Sequence, residues 1–429
     1  MQRFMINVLD LTTSISRAMD MVSPVIMGHH QRVAYLSYAL GRAMETSPER
    51  LALIVLSASL HDIGAMSLLD RKRALDFEEK NHHVHAEMGY NHLKDFPLFS
   101  SVANVVRYHH HPWNFYSDDN SDDTIPEAAH ILHLADRIDV LVDYSRNLLE
   151  QADTIRATVL PMSGTVFSPL VIDAFHAQSI KESFWLELLS ATQTDHAFRN
   201  IPEIHADWSL LNIVEFSWFM ARLIDFRCSF TATHSSGVSA VAEWLANLVG
   251  FSQNECQMMM IAGFLHDIGK LGVPTELINK NGKLTDEEFN QVKPHAYLTR
   301  KILAPLKNLP GLVDWCSFHH ERLDGSGYPY RLDSQQIPLG AKILAVADIF
   351  TALIEDRPYR KGLKITKALE IIQDQVKNGL LDHRVVSLLS EEAEMAKYVC
   401  LTSQKYAQTR YRDFFDALPE CLQAPRYDA

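Results

Sequence analysis

The stretch FLHDIGKLGVP, Phe264 to Pro274, decides how this chain is read. Met258 to Leu265 is continuously apolar before His266, as expected of a central helix, and the adjacent pair His266 and Asp267 follows it. Lys270 follows His266 by four residues, so on a continuing helix the two share one face. A Lys at this place can also cap the helix carbonyls near Gly269.

His234 lies 32 residues before His266 and is followed by Val238, Val241, Leu245 and Leu248, the spacing of one buried helix face. Residues 284 to 303 open with Thr285 and Glu288, a capping-box pair, and are expected to run helically through His295. Strand-like alternation is scarce, so the expected fold class is all-α. The same histidine pattern occurs twice. His29, His61 and Asp62 match His234, His266 and Asp267 at an offset of 205 residues. His85 matches His295, and His109 and His110 match His319 and His320, at an offset of 210. ILHLAD ending at Asp136 matches ILAVAD ending at Asp348, at 212. A lone histidine on an apolar helix face is more often core than ligand, but ordered matches at nearly constant offsets point to two tandem copies of one helical domain. The expected domains are 1–205 and 206–429, with Ser168 to Leu189 completing the first and the polar NIPEIHADW segment around Pro202 marking the junction.

Composition bounds the function. The chain has 429 residues, enough for two ordinary domains, with 47% hydrophobic and 22% charged residues, values normal for a globular protein. A formal net charge of -13 argues against a DNA or RNA polymer as partner, because counterion release needs a basic surface. The most apolar run, Leu51 to Leu60, is too short to span a bilayer, and Met1 to Asp20 lacks the layout of a secretory signal. A cytoplasmic protein with no membrane partner is the expectation. Five cysteines without CxxC spacing give no disulfide framework and no zinc-thiolate site.

His234, His266, Asp267, His295, His319, His320 and Asp348 are the nitrogen and oxygen donors that suit borderline first-row metals. Seven donors exceed one four-coordinate ion and suit two divalent ions with an Asp between them. In such a site a bridging hydroxide can attack phosphorus while both ions neutralise the developing charge, and an ammonium such as Lys270 can hold a phosphate oxygen. Phosphodiester hydrolysis is the chemistry this favours.

FLHDIGKLGVP, NKNGKLTDEEF (Asn279 to Phe289), HHERLDGSGYP (His319 to Pro329) and IPLGAKILAVADIFTALIEDRPYRKG (Ile337 to Gly362) together resemble HD-GYP domains of the HD phosphohydrolase superfamily. The resemblance implies hydrolysis of bacterial cyclic dinucleotides, cyclic di-GMP or 3′,3′-cyclic GMP-AMP, to linear 5′-phosphorylated products. It implies Fe or Mn at the centre, with Ni or Zn compatible with the same ligands. All seven ligands, with Asp267 and Lys270 as the catalytic pair, match the family pattern. Gly325, Gly327, Tyr328 and Pro329 match the loop that names the family; Gly327, Tyr328 and Pro329, with Lys270, are expected to touch substrate. Arg357, Tyr359, Arg360 and Lys361 form a basic-aromatic cluster suited to phosphates and guanine faces. Some members carry a Glu one turn before the first His for a third metal; Phe230 stands there, so two ions are expected.

In the first half His29, His61, Asp62, His85, His109, His110 and Asp136 keep the ligand pattern as a second candidate metal site. Ala65 replaces the Lys, and HHHPWNFYSDD replaces the HHE and GYP segment. A regulatory or dimerising module is expected there, with a second active site as the rival and a homodimer left open. For the whole chain, a cyclic-dinucleotide sensor without turnover and a phosphohydrolase of other nucleotides are the alternatives.

Overall fold

Helix-forming sequence with apolar residues three and four apart fills most of the chain, and the computed structural model folds these stretches into helices. It describes residues 3–20, 27–65, 83–114, 125–189, 201–225, 233–306, 308–309, 311–356 and 361–416. They form two units, Val8–Ile204 and a second made of Met1–Asn7 with His205–Ala429.

The first unit contains α1 (Val8–Asp20), α2 (His29–Ala43), α3 (Pro48–Leu60), α4 (His83–Leu93), α5 (Ser100–Tyr108), α6 (Glu127–Leu141), α7 (Ala152–Val159), α8 (Pro169–Ser179) and α9 (Glu182–Glu187). Ser47 starts α3 by accepting from Arg50 N–H, with Pro48 in the first turn, where its missing N–H costs nothing. α2, α3 and α6 pack on one another, and α6 is buried from Ala129 to Asp139, which places its polar residues inside the core.

The second unit opens with an antiparallel pair, β1 (Arg3–Asn7) and β2 (His205–Ser209), in register Arg3 opposite Ser209. This corrects the expected division, because strand pairing carries the first seven residues into the second unit, and the segment read as a polar junction contains a strand. Phe4, Ile6, Ala206 and Trp208 are buried, whereas Met5 points outward, the alternation of a strand with one covered face. The helices are α10 (Leu210–Asp225), α11 (His234–Val249), α12 (Gln253–Leu265), α13 (Thr275–Ile278), α14 (Asp286–Val292), α15 (Pro294–Leu303), α16 (Leu312–Ser317), α17 (Leu339–Ile354), α18 (Ile365–Lys377), α19 (His383–Glu391) and α20 (Ala393–Asp416).

α12 is the central helix the sequence implied. It packs on α10, α11, α16 and α17, and begins with a capping box between Ser252 and Glu255 worth about 0.5–2 kcal/mol. Gly263 lets α11 approach closely, since a Cβ there would lie 2.3 Å from Ser239 Cα. Val238, Val241 and Leu245 are buried as expected, but Leu248, near the end of α11, is exposed. The Thr285–Glu288 capping box is present, yet Pro294 divides the expected continuous helix into α14 and α15. Among the described residues no helix is long and apolar enough to cross a membrane.

Candidate metal centre

Helix ends deliver most of the donors in the second unit. His234 is the first residue of α11, His266 caps α12 with Asp267 next, His295 sits in the first turn of α15, and His319 and His320 follow α16; Asp348 comes from within α17. They converge as two groups, Asp267 with His295, His319 and His320, and His234 with His266 and Asp348. Within each group the donor atoms lie within 4.8 Å of one another. Asp267 faces both: Oδ1 is 3.4 Å from His295 Nε2 and 3.9 Å from His319 Nε2, and Oδ2 is 3.2 Å from His266 Nε2.

Lys270 departs from the expected geometry. Beyond His266 the chain tightens into a 3-10 turn, Ile268–Gly272, so Lys270 does not stack one α-turn above His266. Its Nζ instead lies 2.5 Å from Asp267 Oδ2. Gly269 makes this turn feasible: a Cβ would stand 1.9 Å from the His295 carbonyl oxygen. Thr299 ties the same point down, its Oγ1 accepting from Gly269 N–H and donating to the His266 carbonyl.

The same device aims three imidazoles. His266, His295 and His319 donate Nδ1–H to carbonyls three residues earlier, Gly263 at 2.8 Å, Val292 at 2.8 Å and Cys316 at 2.6 Å. Each bond uses a carbonyl near a helix end and leaves the Nε2 lone pair facing the cluster. His266 Nε2, Asp267 Oδ1, His295 Nε2 and His319 Nε2 are buried with no hydrogen-bond partner among the described residues. Buried polar atoms are rarely left so, and cations held one in each group would satisfy all four. Burial lowers His295 to about 4 and His319 to about 3, and pushes His320 well below its ordinary value, which keeps them neutral as ligands must be. Asp267 stays ionised despite its burial, because His266 and Lys270 hold its carboxyl well below the usual range.

The GYP loop covers one side. Glu321, buried, accepts from Tyr330 N–H at 2.7 Å and Leu332 N–H at 3.0 Å and so folds the loop back. Gly327 is required, since a Cβ would lie 2.4 Å from Arg322 N. Tyr328 precedes Pro329 through a cis bond, and its ring lies 4.8 Å from that of His320. Arg357, Tyr359, Arg360 and Phe230 lie outside the described residues, and Lys361 is exposed. Sequence reasoning missed Arg322. Its guanidinium, whose pKa burial lowers, interacts electrostatically with Asp348 and Tyr328, and Nη1 is buried with no hydrogen-bond partner among the described residues. Its signal was a cation directly after HHE. The carboxylates behind the first histidines, Asp139 beside His29 and Glu355 beside His234, were missed as well.

The first unit assembles its own cluster. His29 with His61 and Asp136, His61 with Asp62 and His109, and His85 with His109 and His110 form three overlapping groups. Asp62 again faces both sides, with Oδ1 3.2 Å from His85 Nε2 and Oδ2 3.5 Å from His61 Nε2. Nε2 of His29 lies 3.2 Å from Nε2 of His61, and Nε2 of His110 lies 3.0 Å from Nε2 of His85, spacings that call for a proton or cation between lone pairs. Two features differ from the second unit. All seven side chains are buried, whereas His320 and Asp348 are half-buried. Arg137 Nη2 lies 2.7 Å from Asp136 Oδ2, where the second copy has Ile349 after Asp348.

Two sequence profiles, each described as an HD domain, match residues 219–385 and 26–141. The chain is 29% identical over 389 residues to 3′3′-cGAMP-specific phosphodiesterase 1 of Vibrio cholerae, covering 89% of this chain and 90% of that protein. It is 36% identical to a cyclic di-GMP phosphodiesterase of Pseudomonas aeruginosa over 46% of each chain. A solved cyclic GMP-AMP specific phosphodiesterase of V. cholerae, V-cGAP3, superposes with a TM-score of 0.65 at 20% identity, covering 91% of this chain and 98% of that one, so the fold is shared. With two HD folds, each gathering the His and Asp donors of the motif, the chain belongs to the HD-domain family as a tandem protein whose second domain is of the HD-GYP type.

Proposed function

We propose that the second unit is a metal-dependent phosphodiesterase that opens bacterial cyclic dinucleotides, cyclic di-GMP or 3′,3′-cyclic GMP-AMP, to linear 5′-phosphorylated dinucleotides. The observation that carries this is Asp267, set between two donor groups in which His266 Nε2, Asp267 Oδ1, His295 Nε2 and His319 Nε2 are buried with no hydrogen-bond partner among the described residues. His234, His266 and Asp348 would hold one divalent ion, His295, His319 and His320 the other, with Asp267 shared. Fe or Mn fits the imidazole and carboxylate donors, as Ni or Zn would. Ions held there would activate water and neutralise charge on the phosphoryl oxygens.

The chain's own residues supply the rest. Lys270 Nζ, beside Asp267, places a cation where a phosphoryl oxygen approaches the centre. Tyr328 is kept protonated, since burial and the nearby Asp267 and Asp348 push its pKa up, so its hydroxyl donates rather than accepts a charge. Arg322 offers its buried Nη1 to a second phosphate. Hydrolysis breaks one P–O3′ bond, leaving a 5′-phosphate and a 3′-hydroxyl.

The first unit is read as a metal-holding HD module that regulates the second or its association. Its buried donors, Ala65 in place of the Lys and Arg137 on Asp136 favour holding an ion over turning over a dinucleotide. The test is to incubate Mn- or Fe-loaded protein with each cyclic dinucleotide and resolve the products by chromatography. Linear product is expected; if both substrates survive intact, the enzyme reading fails and a sensor without turnover takes its place.

A further inference from the structure

The two units orient their first histidine from different backbone positions. In the first unit His29 Nδ1 lies 2.8 Å from Oδ2 of Asp139, which stands three residues beyond Asp136 on α6. Arg32 clamps that carboxylate with Nε at 2.7 Å and Nη2 at 3.0 Å, and the Tyr144 hydroxyl donates to it. In the second unit the position three residues beyond Asp348 is Thr351, which is fully buried and has no carboxylate. Four residues further on, at the end of α17, is Glu355, which a helical turn places over Thr351; its N–H donates to the Thr351 carbonyl at 3.0 Å. Glu355 Oε2 lies 3.0 Å from His234 Nδ1. Gln404 of α20 donates to the same oxygen at 3.3 Å, and all three side chains are buried.

A carboxylate behind a metal-facing imidazole fixes its tautomer and its direction. We propose that Glu355 is the positioning residue of the second centre. It holds His234 with Nδ1 protonated and Nε2 turned to Asp348, 3.2 Å away, and so performs from one turn further along the task of Asp139 in the first unit. The extra methylene of Glu gives the reach that the displaced position requires. Gln404 makes α20 a support of the centre, with Cys400 of the same helix 3.9 Å from Thr351 Oγ1.

The assignment rests on the metal-centre reading, and the test separates the two. Manganese affinity is measured on the full chain by competition with a fluorescent chelator, together with metal content, melting temperature, and kcat and KM at saturating manganese. The variants are Glu355→Gln, Glu355→Ala, and Thr351→Asp with Glu355→Ala, which moves the carboxylate back to the position Asp139 holds. At the second centre, Glu355→Gln and Glu355→Ala should bind manganese about 10–100-fold more weakly, with the affinity of the first unit and KM at saturating metal unchanged. The relocated carboxylate should regain most of that loss, which a merely structural role for Glu355 would not produce. Wild-type affinity in Glu355→Gln overturns the proposal, and this variant decides alone if the others lose the wild-type melting transition. Relocation without recovery, in a variant that melts as the wild type does, also overturns it. A wild-type chain that takes up none of manganese, iron, nickel and zinc instead overturns the metal-centre reading, and this assignment with it.

Discussion

Gly269→Ala probes how the centre is held together. The added Cβ would fall 1.9 Å from the His295 carbonyl oxygen and 2.6 Å from Thr299 N, both backbone atoms that cannot rotate aside. Restoring van der Waals contact requires the 3-10 turn and α15 to separate by about 1.5 Å. That separation acts on the two segments that carry Asp267 and His295, whose Oδ1 and Nε2 are now 3.4 Å apart. Overpacking alone costs about 1–3 kcal/mol, and misplacing reacting groups by ~1 Å costs about 100-fold in rate. The expected variant is folded, with a lower melting temperature, less metal in the second unit and dinucleotide hydrolysis down by about 100-fold or more. Gly64→Ala is the matched variant in the first unit, where a Cβ would lie 2.1 Å from the His85 carbonyl oxygen and 2.4 Å from Gly89 N. It should disturb the first cluster and leave hydrolysis in place. Metal content by mass spectrometry and product release by chromatography, on both variants, check this. Gly269→Ala with wild-type metal and wild-type turnover would refute the close packing as the origin of the ligand spacing.

Lys270→Ala should keep its metal and lose about 100- to 1,000-fold in kcat, and an unchanged kcat would remove Lys270 from the reaction. Arg322→Met should raise KM for the cyclic dinucleotide about 10–100-fold at unchanged metal content, the value of a hydrogen bond to a charged group; an unchanged KM would exclude a phosphate contact. His61→Ala with Asp62→Ala should leave hydrolysis running at an altered rate, whereas loss of all hydrolysis with an intact fold and metal in the second unit would contradict a regulatory first unit. The melting temperature of chelator-treated protein should peak near pH 6.5. His29 and His234 overcome their burial through Asp136 and Asp139, and through Glu355 and Asp348, and rise to about 10, so their stabilisation is full below about 6.5 and lost toward pH 10. His295 and His319, lowered by burial to about 4 and about 3, remove stability as pH falls below about 6.5. A melting temperature that rises steadily from pH 5 to 9 would contradict these environments.

The repeat was legible because donors are fixed in spacing as well as type, and helix ends that carry them tolerate few insertions. His266 and Asp267 could be read directly as two ligand-type residues after a continuous apolar run. What followed them could not. A helix continued by count puts Lys270 over His266, whereas the structure tightens there and pairs it with Asp267, because Gly269 packs directly on the His295 backbone. β1 and β2 were missed because each has five residues, and their pairing joins Arg3 to Ser209 across the whole first unit. Phe4, Met5 and Ile6 are all apolar, so no alternation marks β1 in the sequence, and only the fold shows Phe4 and Ile6 buried on either side of exposed Met5. Glu355 escaped because the repeat register points to Thr351, and only the folded helix shows a longer carboxylate arriving one turn later. Leu248 fits the apolar face of α11 by spacing, yet the helix has nearly ended there and its side chain is exposed.

A two-metal phosphodiesterase in the second unit must carry metal and open cyclic dinucleotides in one anaerobically purified sample, and both are measured there beside Asp267→Asn. The expected result is Fe or Mn in the wild type with linear 5′-phosphorylated product, and loss of product together with the second unit's share of the metal in the variant. A wild-type chain that turns over neither cyclic di-GMP nor 3′,3′-cyclic GMP-AMP when loaded, or an Asp267→Asn variant that matches it in metal and rate, would contradict the claim.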